Sequence, residues 1–276
     1  MIDVRTMTLS DLEMVLDWAA DEGWNPGRED ARAFLAADPE GFFIALKGGA
    51  PVAAISVVNH CDLYAFLGLY LCRPDWRGKG IGLHLWKLAL KHAEARSVGL
   101  DAVPAQTANY ARSGFLAAGT NQRWTGTLEG RDNPAVRDVT PEDVPQLILR
   151  DAQAGGFARP GLMRAWLAPT DTRRSVVLGP VDKPLGFATI RLAREGAKIG
   201  PVVAPGAEPA LRLIRAAAAR FPGERIILDV PTSNAALSNA LAGAGFEAGF
   251  ETTRMFRGQP PMSTLMAQAL GTLELG

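Results

Sequence analysis

Leu69-Tyr70-Leu71-Cys72-Arg73-Pro74-Asp75-Trp76-Arg77-Gly78-Lys79-Gly80-Ile81-Gly82, continuing as Leu83-His84-Leu85-Trp86-Lys87-Leu88-Ala89-Leu90, reads as a strand, a glycine loop and a helix. The apolar run cannot continue through Pro74, and Ile81, Leu85 and Leu88 then recur at helical spacing. Three glycines in five residues let the backbone curl so that several N–H groups point at one ligand. The helix that follows opens with unpartnered N–H groups carrying partial positive charge, which suits a pyrophosphate. Arg77 and Lys79 place full positive charges beside it.

Two rival phosphate motifs do not fit. No Gly-Lys-Ser/Thr ending supplies the hydroxyl that a P-loop gives to magnesium, and the glycine spacing is not that of a dinucleotide turn. What does match is Arg-x-x-Gly-x-Gly, written here from Arg77 to Gly82. It resembles the acyl-CoA pyrophosphate loop of the GNAT N-acetyltransferase superfamily. Tyr110-Ala111-Arg112-Ser113-Gly114-Phe115 is similar to the Tyr-x-x-x-Gly-Phe found near the end of that fold.

The resemblance implies acetyl-CoA as cosubstrate and no metal. Its pyrophosphate would rest on Arg77, Gly78, Lys79, Gly80, Ile81 and Gly82, with backbone N–H groups near Leu71 and Cys72 holding the thioester. Tyr110 would protonate the departing thiolate. The family's upstream asparagine is replaced near Val103-Pro104-Ala105, while Asn109 stands directly before Tyr110 and is the candidate to touch the pantetheine. Many members carry a basic glutamate in the strand before the loop, but Tyr64-Ala65-Phe66-Leu67-Gly68 offers none. Glu22, His60 and a water relay stay open as the base. Trp24, Asn25, Tyr64 and Phe66 are candidates for the acceptor pocket. His84 and His92 have no matching ligands around them, so no metal site is expected.

The chain of 276 residues exceeds what one compact domain usually needs, and at 47% hydrophobic residues it can build a large core. Lys+Arg and Asp+Glu balance at 29 each, which removes the charge signature of a nucleic-acid or anionic-membrane binder. Met1-Ile2-Asp3-Val4-Arg5 does not read as a secretory signal, and no apolar run reaches membrane-span length, so a cytoplasmic protein is expected. Cys61 and Cys72 flank one expected strand, too far apart for a disulfide.

Taken in order, a short strand from Val4 leads to a helix capped near Thr8 or Ser10, with Leu12, Val15, Leu16 and Ala19 on one face. A loop at Glu22–Gly27, a helix from Glu29 to Ala37 and a hairpin across Lys47-Gly48-Gly49-Ala50 precede the glycine-loop unit. A strand near Leu100, a short helix ending in Tyr110 and a last hairpin from Leu116 to Leu128 complete the half.

Val4, Arg5, Thr8 and Asp11 then recur as Val136, Arg137, Thr140 and Asp143, shifted by 132. Gly114-Phe115 with Arg123 recurs as Gly245-Phe246 with Arg254, and Leu100-Asp101 as Leu228-Asp229. The chain therefore reads as a duplicated domain, residues 1–130 and 134–276, joined through the polar stretch Glu129–Pro134. The fold class expected is α+β: two GNAT-like domains in tandem, each a mixed, mostly antiparallel sheet flanked by helices.

Shifted by 131, Arg77 falls on Glu208, Gly80 on Leu211, Gly82 on Leu213 and Tyr110 on Leu241. A carboxylate repels pyrophosphate, and leucine has no proton to give, so the second copy keeps the fold and loses the cofactor chemistry. The expected function is transfer of an acetyl group to the amine of a small molecule, with the second half shaping the acceptor pocket. The alternatives are a non-catalytic acyl-CoA sensor or scaffold, and acetylation of a protein or peptide terminus. Neither nucleic acid nor membrane is expected as a partner, and the chain is expected to be a monomer or homodimer.

Overall fold

The computed structural model describes residues 2–276. The first half runs β1 (Ile2–Thr6), α1 (Leu9–Asp21), α2 (Asp30–Ala37), β2 (Phe42–Lys47), β3 (Ala50–Asn59), β4 (Tyr64–Cys72), α3 (Ile81–Ala89), β5 (Ser97–Ala102), α4 (Thr107–Arg112) and β6 (Leu116–Thr127). The second runs β7 (Val136–Asp138), α5 (Val144–Gly155), α6 (Pro160–Leu167), β8 (Arg173–Leu178), β9 (Gly186–Leu192), β10 (Ala197–Val203), α7 (Ala207–Ala218), β11 (Arg225–Pro231), α8 (Ala235–Gly243), β12 (Glu247–Arg257) and β13 (Ala267–Ala269).

The repeat read in the sequence is a repeat in space. Thr8 caps α1, its hydroxyl accepting from the Asp11 N–H at 3.2 Å while the Thr8 N–H donates to Asp11 Oδ2 at 2.8 Å. This capping box satisfies two N–H groups that a helix start leaves free. Arg5 forks onto Asp11 at 2.6 and 3.0 Å, and Arg137 forks onto Asp143 at 2.7 and 2.6 Å in the same way. Behind its cap, α1 buries Leu12, Val15, Leu16 and Ala19, the stripe expected from their spacing.

All the strands join one sheet, in the order β1-β2-β3-β4-β5-β12-β6-β11-β10-β9-β8-β7, with β13 added against β10. Among the described residues only β4–β5 and β10–β11 are parallel pairs. The order in the middle corrects the expected hairpin from Leu116 to Leu128. That stretch is the single strand β6, and it leaves its own half to pair with β11 along seven residue pairs from Arg225↔Thr127 to Pro231↔Asn121. In return β12 pairs with β5, from Thr253↔Ala102 to Arg257↔Val98. The two traded strands also pair with each other. A duplicated sequence makes both pairings chemically alike, because each strand finds in the other half the neighbour it would have had in its own. Local sequence therefore cannot select between them.

A second set of contacts ties the halves together on one face of the sheet. Asp30, wholly buried at the start of α2, receives Arg173 at 3.0 Å and Arg191 at 3.1 Å from β8 and β9. Both guanidinium groups lie over the Trp166 ring, at 4.7 and 4.5 Å from its centroid, and Phe34 of α2 stacks on Trp166 at 6.2 Å. Burial pushes Asp30 up, but the two arginines outweigh it and hold the carboxyl below its ordinary pKa.

The segment after β13 crosses from one half to the other. β13 lies between the diverging ends of β10 and β11, with Val202↔Ala269 and Val203↔Ala267 on one side and the Leu270 N–H donating to Asp229 O at 2.8 Å on the other. Residues 271–276 then run to the first half, where a methyl group at Gly68 would overlap the carbonyl oxygen of Glu274. His60 Nε2 lies 2.7 Å from the Leu275 carbonyl oxygen. Thr272, Glu274 and Leu275 are buried.

Candidate active site

β4 and β5 pair only through Tyr64↔Ser97, Ala65↔Val98 and Phe66↔Gly99, and then diverge. β4 also bulges, since its register against β3 shifts between Gly68 and Leu71, with Leu69 at a positive φ of 45°. Beyond Phe66 one edge of β4 therefore faces open space instead of a strand. That space is a cleft of about 520 Å³.

The glycine loop forms one wall. Gly78 and Gly80 adopt φ of 72° and 76°, a region that costs other residues strain, and Gly80 is the left-handed cap from which α3 starts. Gly78, Gly80, Ile81 and Gly82 line the cleft, as do Leu71 and Cys72 at the end of β4. A chain of amides at a helix start thus borders the space, as a diphosphate requires.

The two charged residues of this loop part company: Arg77 lines the cleft and Lys79 does not. Arg77 donates to Cys72 O at 2.9 Å and pairs with Glu22, so its charge braces the loop against β4. Lys79 does not line the cleft; its ammonium sits over the Trp76 ring, 4.7 Å from the centroid. Asn109 also lies outside, bonded to Gln106 and Arg112 on the exposed side of α4.

Tyr110 lines the cleft from α4, stacked on Trp86 at 5.5 Å and edge-on to Phe115 at 6.4 Å. Burial, with Tyr70 nearby, pushes its pKa up to about 12, so the phenol keeps its proton at neutral pH. Glu22 and Trp24 line the cleft. Asn25, Tyr64, Phe66 and His60 do not. Asn25 bonds to the backbone of Glu195, Tyr64 packs on Phe157, and Phe66 lies under Arg254. His60 packs on Phe157 and has its pKa lowered to about 4, by burial first and the Arg159 charge second.

The rest of the lining was not singled out in the sequence. Tyr70 and Asp101 come from the first half, Arg123 from the exported strand β6, and Phe250 and Thr252 from the imported strand β12. Leu273 and Glu274 come from the segment after β13. Repetition had marked Arg123 and Asp101, but as members of a repeat and not of a cleft. Glu274 carried no motif at all.

The second half has no equivalent loop. α7 begins at Ala207, so the positions matching the glycine loop are already helical, and Leu213 is fully buried. The space between β10 and β11 that corresponds to the first cleft is filled by β13. Neither an amide cup nor a slot for pantetheine remains there. Among the described residues no group of three His, Cys, Asp or Glu side chains is placed to hold a metal ion, and no helix is long and apolar enough to cross a membrane.

A family model for an acetyltransferase (GNAT) family matches residues 10–135, and one for an acetyltransferase (GNAT) domain matches residues 148–271. A holothin acyltransferase from Pseudoalteromonas sp. is 35% identical over 276 residues, covering 99% of this chain and 94% of that protein.

The chain belongs to the GNAT acetyltransferase family.

This GNAT protein is an acyltransferase with both halves built on the family fold. A crystal structure from Pyrococcus horikoshii superposes with a TM-score of 0.82 at 18% identity, covering 100% of this chain and 96% of that one. A tandem GNAT protein from the clavulanic acid biosynthesis pathway superposes at 0.61 with 18% identity, covering 93% and 98%. At these identities the two likenesses establish the tandem fold.

Proposed function

We propose that this protein transfers an acetyl group from acetyl-CoA to the amine of a small molecule by direct attack, with one cofactor site per chain. The observation that carries this reading is the cleft between β4 and β5, where the glycine-loop amides at one end and the protonated Tyr110 share a single cavity. The diphosphate rests on the amides of residues 78–82, and the pantetheine runs along the free edge of β4. Amides of the bulged strand stabilise the oxyanion, and most of the acceleration comes from holding amine and thioester in register. Tyr110 gives its proton to the sulfur.

The second half contributes walls and no cofactor. Phe250, Thr252, Leu273 and Glu274 of the second half line the cleft together with the glycine loop, which supports a pocket shaped by both halves. The 35% identical relative is named for holothin, and holothin is accordingly the first acceptor to offer. The experiment is release of free thiol from acetyl-CoA by purified protein, with holothin and a panel of primary amines. Acceptor-dependent thiol release is the expected result; tight acetyl-CoA binding without turnover on any amine would instead favour a sensor.

A further inference from the structure

We infer that Glu274 is the general base of the transfer, carried to the first half's cleft by the segment that plugs the second half's. This rests on the acetyltransferase reading above and supplies the base that neither β4 nor the loops provide.

Three carboxylates line the cleft: Glu22, Asp101 and Glu274. Glu22 is engaged by Arg77 at the cofactor loop. Asp101 takes both prongs of Arg254, at 2.7 Å each, and a third bond from Asn121 at 2.8 Å. A carboxylate so occupied has few lone pairs left for an incoming proton. Glu274 has no guanidinium or ammonium within ion-pair distance among the described residues, and its side chain bonds only to the Thr272 hydroxyl. One carboxylate in the cleft is thus uncommitted.

Its position suits the role. Glu274 is 3% exposed, held inside the cleft rather than on the outer surface. Its main chain presses on the face of β4 at Gly68, directly before the bulge at Leu69, which sets the residue over the stretch of strand assigned to the thioester. The segment is anchored on both sides, by β13 in the second half and by the Leu275 carbonyl at His60 in the first. Such anchoring holds a base in place without cost at the moment of reaction. Arg123 of β6, Lys198 of β10 and Asp101 of β5 are the charged groups that feel Glu274.

In the step itself the amine nitrogen bonds to the thioester carbon while Glu274 takes the nitrogen's proton. The tetrahedral intermediate then collapses, the carbon–sulfur bond breaks, and the sulfur takes its proton from Tyr110. The products are the amide and free CoA; solvent then takes the proton from Glu274 and supplies one to Tyr110, restoring both residues.

The test compares the full-length wild type with Glu274→Gln and Glu274→Asp, reading thiol release with holothin or with water as nucleophile, and acetyl-CoA Kd by calorimetry. The glutamine variant is expected to lose at least about tenfold in kcat with Kd within about twofold of wild type, and the aspartate variant to recover part of the loss. Undiminished kcat in Glu274→Gln overturns the assignment, and so does a loss matched by equal weakening of acetyl-CoA binding, which would mark a segment that only shapes the cleft. Should Glu274→Gln fail to fold, Glu274→Asp decides alone: reduced kcat at unchanged Kd supports the base, and full activity refutes it. Wild-type protein that releases no thiol from acetyl-CoA with holothin or with any amine of the panel refutes the acetyl transfer proposed above and the base with it.

Discussion

Arg254 of β12 forks onto Asp101 of β5, both bonds at 2.7 Å, and Arg123 of β6 forks onto Asp229 of β11 at 2.7 and 2.9 Å. Each arginine belongs to one half and each carboxylate to the other, so the two ion pairs lock the traded strands at symmetric points. Burial pushes Asp101 up against the pull of Arg254. At Asp229 burial is outweighed by Lys198 and Arg123, which hold it below its ordinary range.

Removing one partner leaves a buried charge without compensation, which costs about 3–5 kcal/mol. Arg254→Met is therefore expected to lower the urea midpoint sharply, and Arg254→Met with Asp101→Leu to recover much of it. The comparison is a double-mutant cycle on the denaturation midpoint. Additive losses would show that the pair does not hold the strands.

Tyr110→Phe removes the proposed proton donor while keeping the ring stack on Trp86, so kcat is expected to fall about 10²-fold or more with acetyl-CoA affinity preserved. With its pKa raised to about 12, Tyr110 stays protonated across pH 6–9, and its ionisation limits no rate in that range. Ultraviolet titration of wild type against Tyr110→Phe checks this: the difference between them should emerge only well above pH 10.

One acetyl-CoA per chain is expected by calorimetry, because β13 fills the second cleft and α7 replaces the second loop. Gly80→Leu should abolish binding through its positive φ and the side chain it puts among the amides. Leu211→Ala, at the matching position of the second half, should leave the affinity unchanged.

His60 is buried and neutral, its pKa lowered from 6.5 to about 4. The unfolded chain takes up this proton near pH 6.5 and the folded chain only near pH 4, so His60 favours folding fully above pH 6.5. That contribution drains away as pH falls from 6.5 to 4, amounting to about 3 kcal/mol at 1.36 kcal/mol per pKa unit. His60→Gln should flatten the fall of the thermal midpoint across that interval; an unchanged slope would place the acid sensitivity elsewhere.

The sequence by itself determined the local elements. Leu12, Val15, Leu16 and Ala19 at helical spacing, the glycines from Gly78 to Gly82, and Thr8 with Asp11 act within a turn or two of chain, where backbone geometry and capping leave few options. The repeat was legible too, and so was the loss of the cofactor loop near Glu208 and Leu213. Partnership across the sheet was decided by the tertiary structure alone. A duplicated chain offers β6 two neighbours of the same pattern, and its choice of β11 depends on the arrangement of both halves at once. The same holds for Glu274, an unremarked carboxylate in sequence that gains its place only because the chain passes from β13, which fills one cleft, into the other.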